Sequence, residues 1–124
     1  MNNVYNADIS GSFIHRGDIC LVDFKKNEGS EQSGIRPALI LQNNIGNHYS
    51  PITIVCPITS NIKKYQATHV KISPEECGVL KESIVLCEQI RAIDKSRIRR
   101  KVGRIIQPQI LSDIEMKTRF LLGL

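Results

Sequence analysis

Seven basic residues crowd positions 91–104 (Arg91, Lys95, Arg97, Arg99, Arg100, Lys101 and Arg104) against a single acid, Asp94. Such a stripe draws phosphodiester backbones and acidic protein segments alike, because both release counterions or gain Coulomb energy on contact. A solvated face is the plain alternative. The whole chain carries a net charge of +5, so the remainder is close to neutral. Elsewhere, Arg36 precedes Pro37, whose ring holds the residue before it extended at the mouth of an apolar run. Thr59 lies just past another such run. Taken singly, an Arg before Pro is often a surface ion-pair partner and a Thr after a strand a turn residue.

Histidine is the usual acid or base near neutral pH, but the three here have plain settings. His15 precedes the first strand-like run, His48 sits among turn residues, and His69 alternates along a strand beside Thr68. Packing or solvent roles are expected for them. The four cysteines, Cys20, Cys56, Cys77 and Cys87, show no CxxC pair; three lie inside apolar runs, where a cysteine acts as a small buried hydrophobe. Reduced thiols in a cytoplasmic protein are the expectation, with neither a metal site nor a cofactor. No uninterrupted apolar run is longer than that of Ala38-Leu39-Ile40-Leu41, far under the roughly 18 residues a membrane span requires.

The elements that must position these residues read mainly as strands. A chain of 124 residues supports one domain. Residues 1–13 read as a flexible N-terminal extension, and 14–124 as the folded domain. Strands are predicted over 17–24, 36–42, 52–58, 68–72, 83–90 and 101–106, from β-branched and alternating apolar residues bounded by turn signals. A long polar loop spans 25–34, a turn covers 43–47, and 73–78 is a turn or short helical piece. Pro57 suggests a sheet edge or bulge. Positions 94–100 suggest a short helical connection. Beyond Pro108 the period changes: Ile110, Leu111, Ile114, Thr118, Leu121 and Leu122 recur at three- and four-residue intervals and place one apolar stripe on a C-terminal helix. The expected architecture is a single sheet, closed or half closed on itself, with that helix capping the barrel or a partner.

The run Gly29-Ser30-Glu31-Gln32-Ser33-Gly34-Ile35-Arg36-Pro37 resembles the signature loop of the MazF/PemK (Kid) toxins. The resemblance continues in family order through Arg16-Gly17-Asp18, Leu41-Gln42-Asn43, Ile58-Thr59-Ser60, Thr68-His69-Val70 and Leu86-Cys87-Glu88-Gln89-Ile90-Arg91. It implies a mainly β fold with α, an SH3-like, CcdB/PemK-type small β-barrel with a C-terminal helix. It also implies the toxin of a type II toxin–antitoxin system, a sequence-specific, metal-independent endoribonuclease that cleaves single-stranded mRNA and so inhibits translation and growth. In that chemistry the ribose 2′-hydroxyl attacks its own phosphate, leaving 2′,3′-cyclic phosphate and 5′-hydroxyl ends.

Arg36 and Thr59 match the family's catalytic pair. A guanidinium with a pKa above roughly 12 is a poor proton acceptor, so Arg36 is assigned to charge stabilisation, its fork suited to two phosphate oxygens. The Thr59 hydroxyl donates to a phosphorane oxygen or relays a proton. Ser30, Glu31, Gln32 and Gln89 are the expected substrate-binding residues, and Glu88 an alternative partner for a neighbouring Arg. The family pattern further implies a homodimer and a cognate antitoxin with an acidic, disordered tail. Departures from it are Ser33, Cys56-Pro57 and the residues ahead of Gly17. The alternatives are a CcdB-like gyrase-binding toxin without nuclease activity and a non-catalytic RNA-binding barrel; aromatics at 5% offer little base-stacking platform to the latter.

Overall fold

In β1 (Asp18–Asp23) and β2 (Ile35–Ile40) successive side chains leave on opposite faces, and both faces are apolar, which buries the strands on two sides. The computed structural model describes residues 13–26, 28, 29 and 31–124. After β2 come α1 (Asn44–Tyr49), β3 (Ile52–Thr59), β4 (His69–Ile72), α2 (Pro74–Cys77), β5 (Ser83–Leu86), β6 (Arg91–Asp94), β7 (Ile98–Arg104) and α3 (Pro108–Leu122). Single turns of 3₁₀ helix at Ile62–Lys64, Cys87–Gln89 and Lys95–Arg97 link the strands.

All strand pairings are antiparallel, in the order β4-β5-β3-β2-β1-β7, with β6 on β3 as well. β3 is thus the hub: its first half pairs with β6 from Ile52 to Val55, and its end pairs with β5 at Ile58 and Thr59. Pro57 falls between those two segments, where that edge of β3 has no ladder neighbour. The proline therefore marks no sheet edge; it occupies the one stretch of a central strand where a missing N–H costs nothing on that side.

Period-two alternation divides the interior. Leu39, Leu41, Cys56 and Ile58 join a cluster with Ile19, Ile72 and Val85, closed by Ile110 and Ile114 of α3. Ala38, Ile40 and Val55 turn the other way, towards Cys20, Val22, Phe24, Ile93 and Ile98. The sheet does not close into a ladder between β4 and β7. There Gly103 of β7 lies against α2, so close that a Cβ would stand 2.1 Å from the Cys77 carbonyl oxygen. Only glycine fits that seam.

Local differences from the sequence reading have local causes. Residues 43–47 begin a helix, because the Asn43 side chain accepts from the Gly46 N–H at 2.8 Å and caps it. Residues 87–89 coil into 3₁₀ geometry and 91–94 form a strand of their own, in place of one strand to position 90. β7 starts at Ile98, and the helical connection before it shrinks to one turn capped by Asp94, whose carboxyl is held below its usual range by the Ser96 N–H. α3 follows the predicted stripe at Ile110, Ile114 and Thr118, whereas Leu122 is exposed. None of the helices among the described residues is long and apolar enough to cross a membrane. Residues 1–12 of the expected extension lie outside the described residues.

Candidate active site

Arg36 and Thr59 are brought to the same end of one strand pair. The β2–β3 register runs Ile40↔Val55, Leu39↔Cys56, Ala38↔Pro57. The ladder ends there, two residues short of Arg36 on β2 and of Thr59 on β3. Alternation also puts Arg36 on the face of Ala38 and Ile40, and Thr59 on the face of Val55 and Pro57, which is the same face. Inside, that face is buried core; at its rim it carries a guanidinium and a hydroxyl.

Neither group is tied down fully. Arg36 is exposed, and its one hydrogen bond among the described residues runs from Nε to the Ser33 carbonyl at 2.7 Å. That bond aims the guanidinium from the loop side and leaves its two terminal nitrogens for another acceptor. The Thr59 hydroxyl accepts from the Asn61 N–H at 3.2 Å, which leaves its proton to donate.

The loop before Arg36 closes on itself through Phe24 N–H to the Gly34 carbonyl (2.9 Å) and Gly34 N–H to the Lys25 carbonyl (2.7 Å). Asp23 anchors its start: it accepts from the Lys25 N–H at 2.9 Å and pairs with Arg99 at 2.8 Å. The Lys25 N–H, the burial cost notwithstanding, holds the Asp23 carboxyl below its ordinary value, with Arg99 adding to the effect. Farther along, the Gln32 N–H donates to Gln89 Oε1 at 2.9 Å and ties the loop to the turn after β5.

Between loop and turn lies a cleft of about 430 Å³. Glu31 and Gln32 form its loop wall, Glu88 and Gln89 its opposite wall, and Pro57, Ile90 and Arg91 complete it. Its volume falls within the roughly 300–1,000 Å³ of ligand sites. Three of the expected substrate residues, Glu31, Gln32 and Gln89, therefore share one cavity, beside the strand that ends in Thr59. Ser30 lies outside the described residues.

Glu88 finds a different partner from the expected arginine. Its Oε2 stands 2.8 Å from Nε2 of His69, and its Oε1 accepts from the Thr68 hydroxyl at 3.2 Å. His69 is buried, as a packing role would have it, whereas His48 is exposed edge-on to the Tyr49 ring. Arg91 lies with its guanidinium 5.5 Å from the Phe24 ring centre and lines the cleft. Sequence spacing gave no sign of the His69–Glu88 contact, since 19 residues separate the pair and only the β4–β5 ladder brings them together.

The basic stripe is dispersed by the fold. Lys101 and Arg104 turn onto the buried Asp18, at 3.1 and 2.6 Å. Lys95 is buried with Nζ on the Asn47 carbonyl, and burial lowers its pKa. Arg99 faces Asp23. Much of the stripe's charge is thus used within the chain, and Arg91 is the member that reaches the cleft.

A family described as the PemK-like, MazF-like toxin of type II toxin–antitoxin systems matches residues 15–122. The chain belongs to that family. Among relatives of this family, an Endoribonuclease MazF from Staphylococcus saprophyticus is 45% identical over 105 residues, covering 84% of this chain and 82% of the relative. The crystal structure of MazF from Deinococcus radiodurans superposes with a TM-score of 0.78 at 28% identity, over 90% of this chain and 97% of that one. A MazE–MazF crystal structure from the same organism matches with a TM-score of 0.73 at 26% identity, over 90% and 97%. The mainly β, barrel-like fold with a C-terminal helix is the fold of this family, with the sheet left open at one seam.

Proposed function

We propose that this chain is the endoribonuclease toxin of a type II toxin–antitoxin pair, cutting single-stranded RNA by attack of a ribose 2′-hydroxyl on its own phosphate. The reading is supported by Arg36 and Thr59, which strand alternation puts on one face beyond the Ala38↔Pro57 pair, and by the cleft that Glu31, Gln32 and Gln89 wall. In the reaction the 2′-oxygen bonds to phosphorus, the bond to the 5′-oxygen breaks, and a proton passes from the former to the latter. Arg36, which does not give up a proton near neutrality, binds the oxygens of the phosphorane through its terminal nitrogens. Thr59 donates its hydroxyl proton to the same group. The route employs no metal.

Residues 14–124 form the toxin domain in this reading, with Ile14 already buried in the second core. A second copy of the chain suits the outer face of α3, where Met116, Phe120 and Leu124 stand exposed. A net charge of +5 suits an antitoxin with an acidic, disordered tail, and the MazE–MazF structure from Deinococcus radiodurans supports an antitoxin partner as such. Four free, buried cysteines suit the reducing cytoplasm. The gyrase-binding alternative makes no use of the Arg36–Thr59 rim.

The test is incubation of wild type and Arg36→Ala with a long single-stranded RNA in EDTA, with mapping of cut sites and end chemistry. Discrete cuts with 5′-hydroxyl ends, absent in the variant, are expected. A folded wild-type protein that leaves the RNA whole would overturn the reading.

A further inference from the structure

Among the described residues, Glu88 is the carboxylate of the cleft that other side chains hold. Its side chain is 34% exposed and lines the cavity, yet both of its oxygens are held from behind. Thr68 donates to Oε1 at 3.2 Å, and His69 faces Oε2 at 2.8 Å. The His69 tautomer follows from its other nitrogen: the Gln66 N–H donates to Nδ1 at 3.0 Å, so the ring proton lies on Nε2 and points at Glu88. With a side chain only 3% exposed, this histidine is itself immobile. The His69 carbonyl accepts from Lys117 Nζ at 2.6 Å, and its backbone is opposite Leu86 in the β4–β5 ladder.

A carboxylate has about four lone-pair sites, and two are taken here. Glu88 lines a cleft whose other wall belongs to the loop before Arg36, and its partly exposed side chain has acceptor capacity beyond those two bonds. An ionised carboxylate accepts and cannot donate, so it welcomes an exocyclic amino group and repels a carbonyl edge. Unpaired bases in single-stranded RNA present those edges freely.

We propose that Glu88, fixed by His69 and Thr68, is a specificity-determining residue that reads the amino group of an adenine, cytosine or guanine in the RNA and discriminates against uracil at that position. His69 is a positioning residue: it never touches the RNA and acts by holding the carboxylate. The inference rests on the endoribonuclease reading above and deepens it.

The experiment maps the cut sites of wild type, Glu88→Gln and His69→Leu on one long RNA. It then measures cleavage of short oligonucleotides in which the amino-bearing base at each motif position is replaced by its analogue lacking the amino group: purine riboside, inosine or 2-pyrimidinone riboside. Wild type is expected to lose about tenfold to a hundredfold in rate at one position on removal of the amino group. Glu88→Gln, which adds a donor, should lose the preference at that same position and be nearly indifferent to the analogue. His69→Leu should relax the same position and no other, with His69→Gln, which restores a donor, partly recovering it. Should the leucine variant fail to fold, Glu88→Gln alone decides. A Glu88→Gln motif identical to wild type, or an analogue penalty equal in both proteins, overturns the inference and leaves the nuclease standing. Absence of any cutting by wild type overturns both.

Discussion

Two polar constellations on this sheet look alike in composition and differ in what their bonds are used for. At Asp18, a carboxylate with 0% exposure receives Arg104 at 2.6 Å, Lys101 at 3.1 Å and the His15 N–H at 2.9 Å. The donors that reach this buried carboxylate come from β7 and from the residue three before it, so the cluster ties the start of β1 to β7. At the β2–β3 rim the exposed Arg36 uses one nitrogen on Ser33 and Thr59 retains its proton, and in the neighbouring cleft Glu88 keeps half its acceptors. Charge density does not distinguish the two. Spare hydrogen-bonding capacity facing a cavity does, because an unmet donor or acceptor at a wet surface costs little until a ligand takes it.

The sharpest way to break this contrast is to exchange the consequences. Removing the Arg36 fork should reduce cleavage by roughly a hundredfold to a thousandfold, the scale of losing one transition-state donor, while unfolding shifts by under about 0.5 kcal/mol as for other surface changes. Arg36→Lys should lose most of the activity too, since an ammonium cannot hold two oxygens in a plane; cleavage rates and urea midpoints measured side by side decide, and near-normal cutting by the lysine variant would sink the role. Thr59→Ala should bind an uncleavable RNA as wild type does and cut the natural one poorly, a split visible in filter binding against single-turnover rates.

Asp18→Asn should behave in the opposite sense. Lys101 and Arg104 lose their counter-charge, for an expected cost of roughly 2–3 kcal/mol, under the roughly 3–5 of a fully enclosed pair because Arg104 is partly solvated. Rates per folded molecule should stay near wild type. A variant of undiminished stability would show that the cluster is not structural.

Alkali should also destabilise the fold. Burial, with Asp18 next to it, pushes the Cys20 thiol from 9.0 up to about 12. The folded state therefore holds that proton more tightly than the unfolded chain, so its contribution is complete below pH 9.0 and is lost as pH rises towards about 12. Urea midpoints across that window should fall, and the four buried thiols should resist alkylation until the protein unfolds. Least of all should come from Arg99→Ala, which removes a half-exposed ion pair with Asp23 and should cost no more than about 0.5 kcal/mol. A large loss of cleavage there would mean that the loop is anchored from β7.

The sequence by itself determined the strand character of the chain, the amphipathic C-terminal helix and the family, because alternation, the change of period after Pro108 and the Gly29 to Pro37 run are all local patterns. It also singled out Arg36 and Thr59, whose type and neighbours are written in contiguous motifs. It read Asn43 to Asn47 as a plain turn, since a six-residue helix with asparagine and glycine has little propensity and depends on its cap. It took Pro57 for an edge or a bulge, since which flank of β3 lacks a partner depends on where β6 stops and β5 begins. The basic stripe looked like one surface until Lys101 and Arg104 turned onto Asp18, some eighty residues away in the chain. Only the tertiary structure joined His69 to Glu88 and Gln32 to Gln89, and so drew a cleft around Pro57. Local patterns carry propensity and motif. Which side chains spend their hydrogen bonds on one another is settled by strand register, and register is a property of the whole sheet.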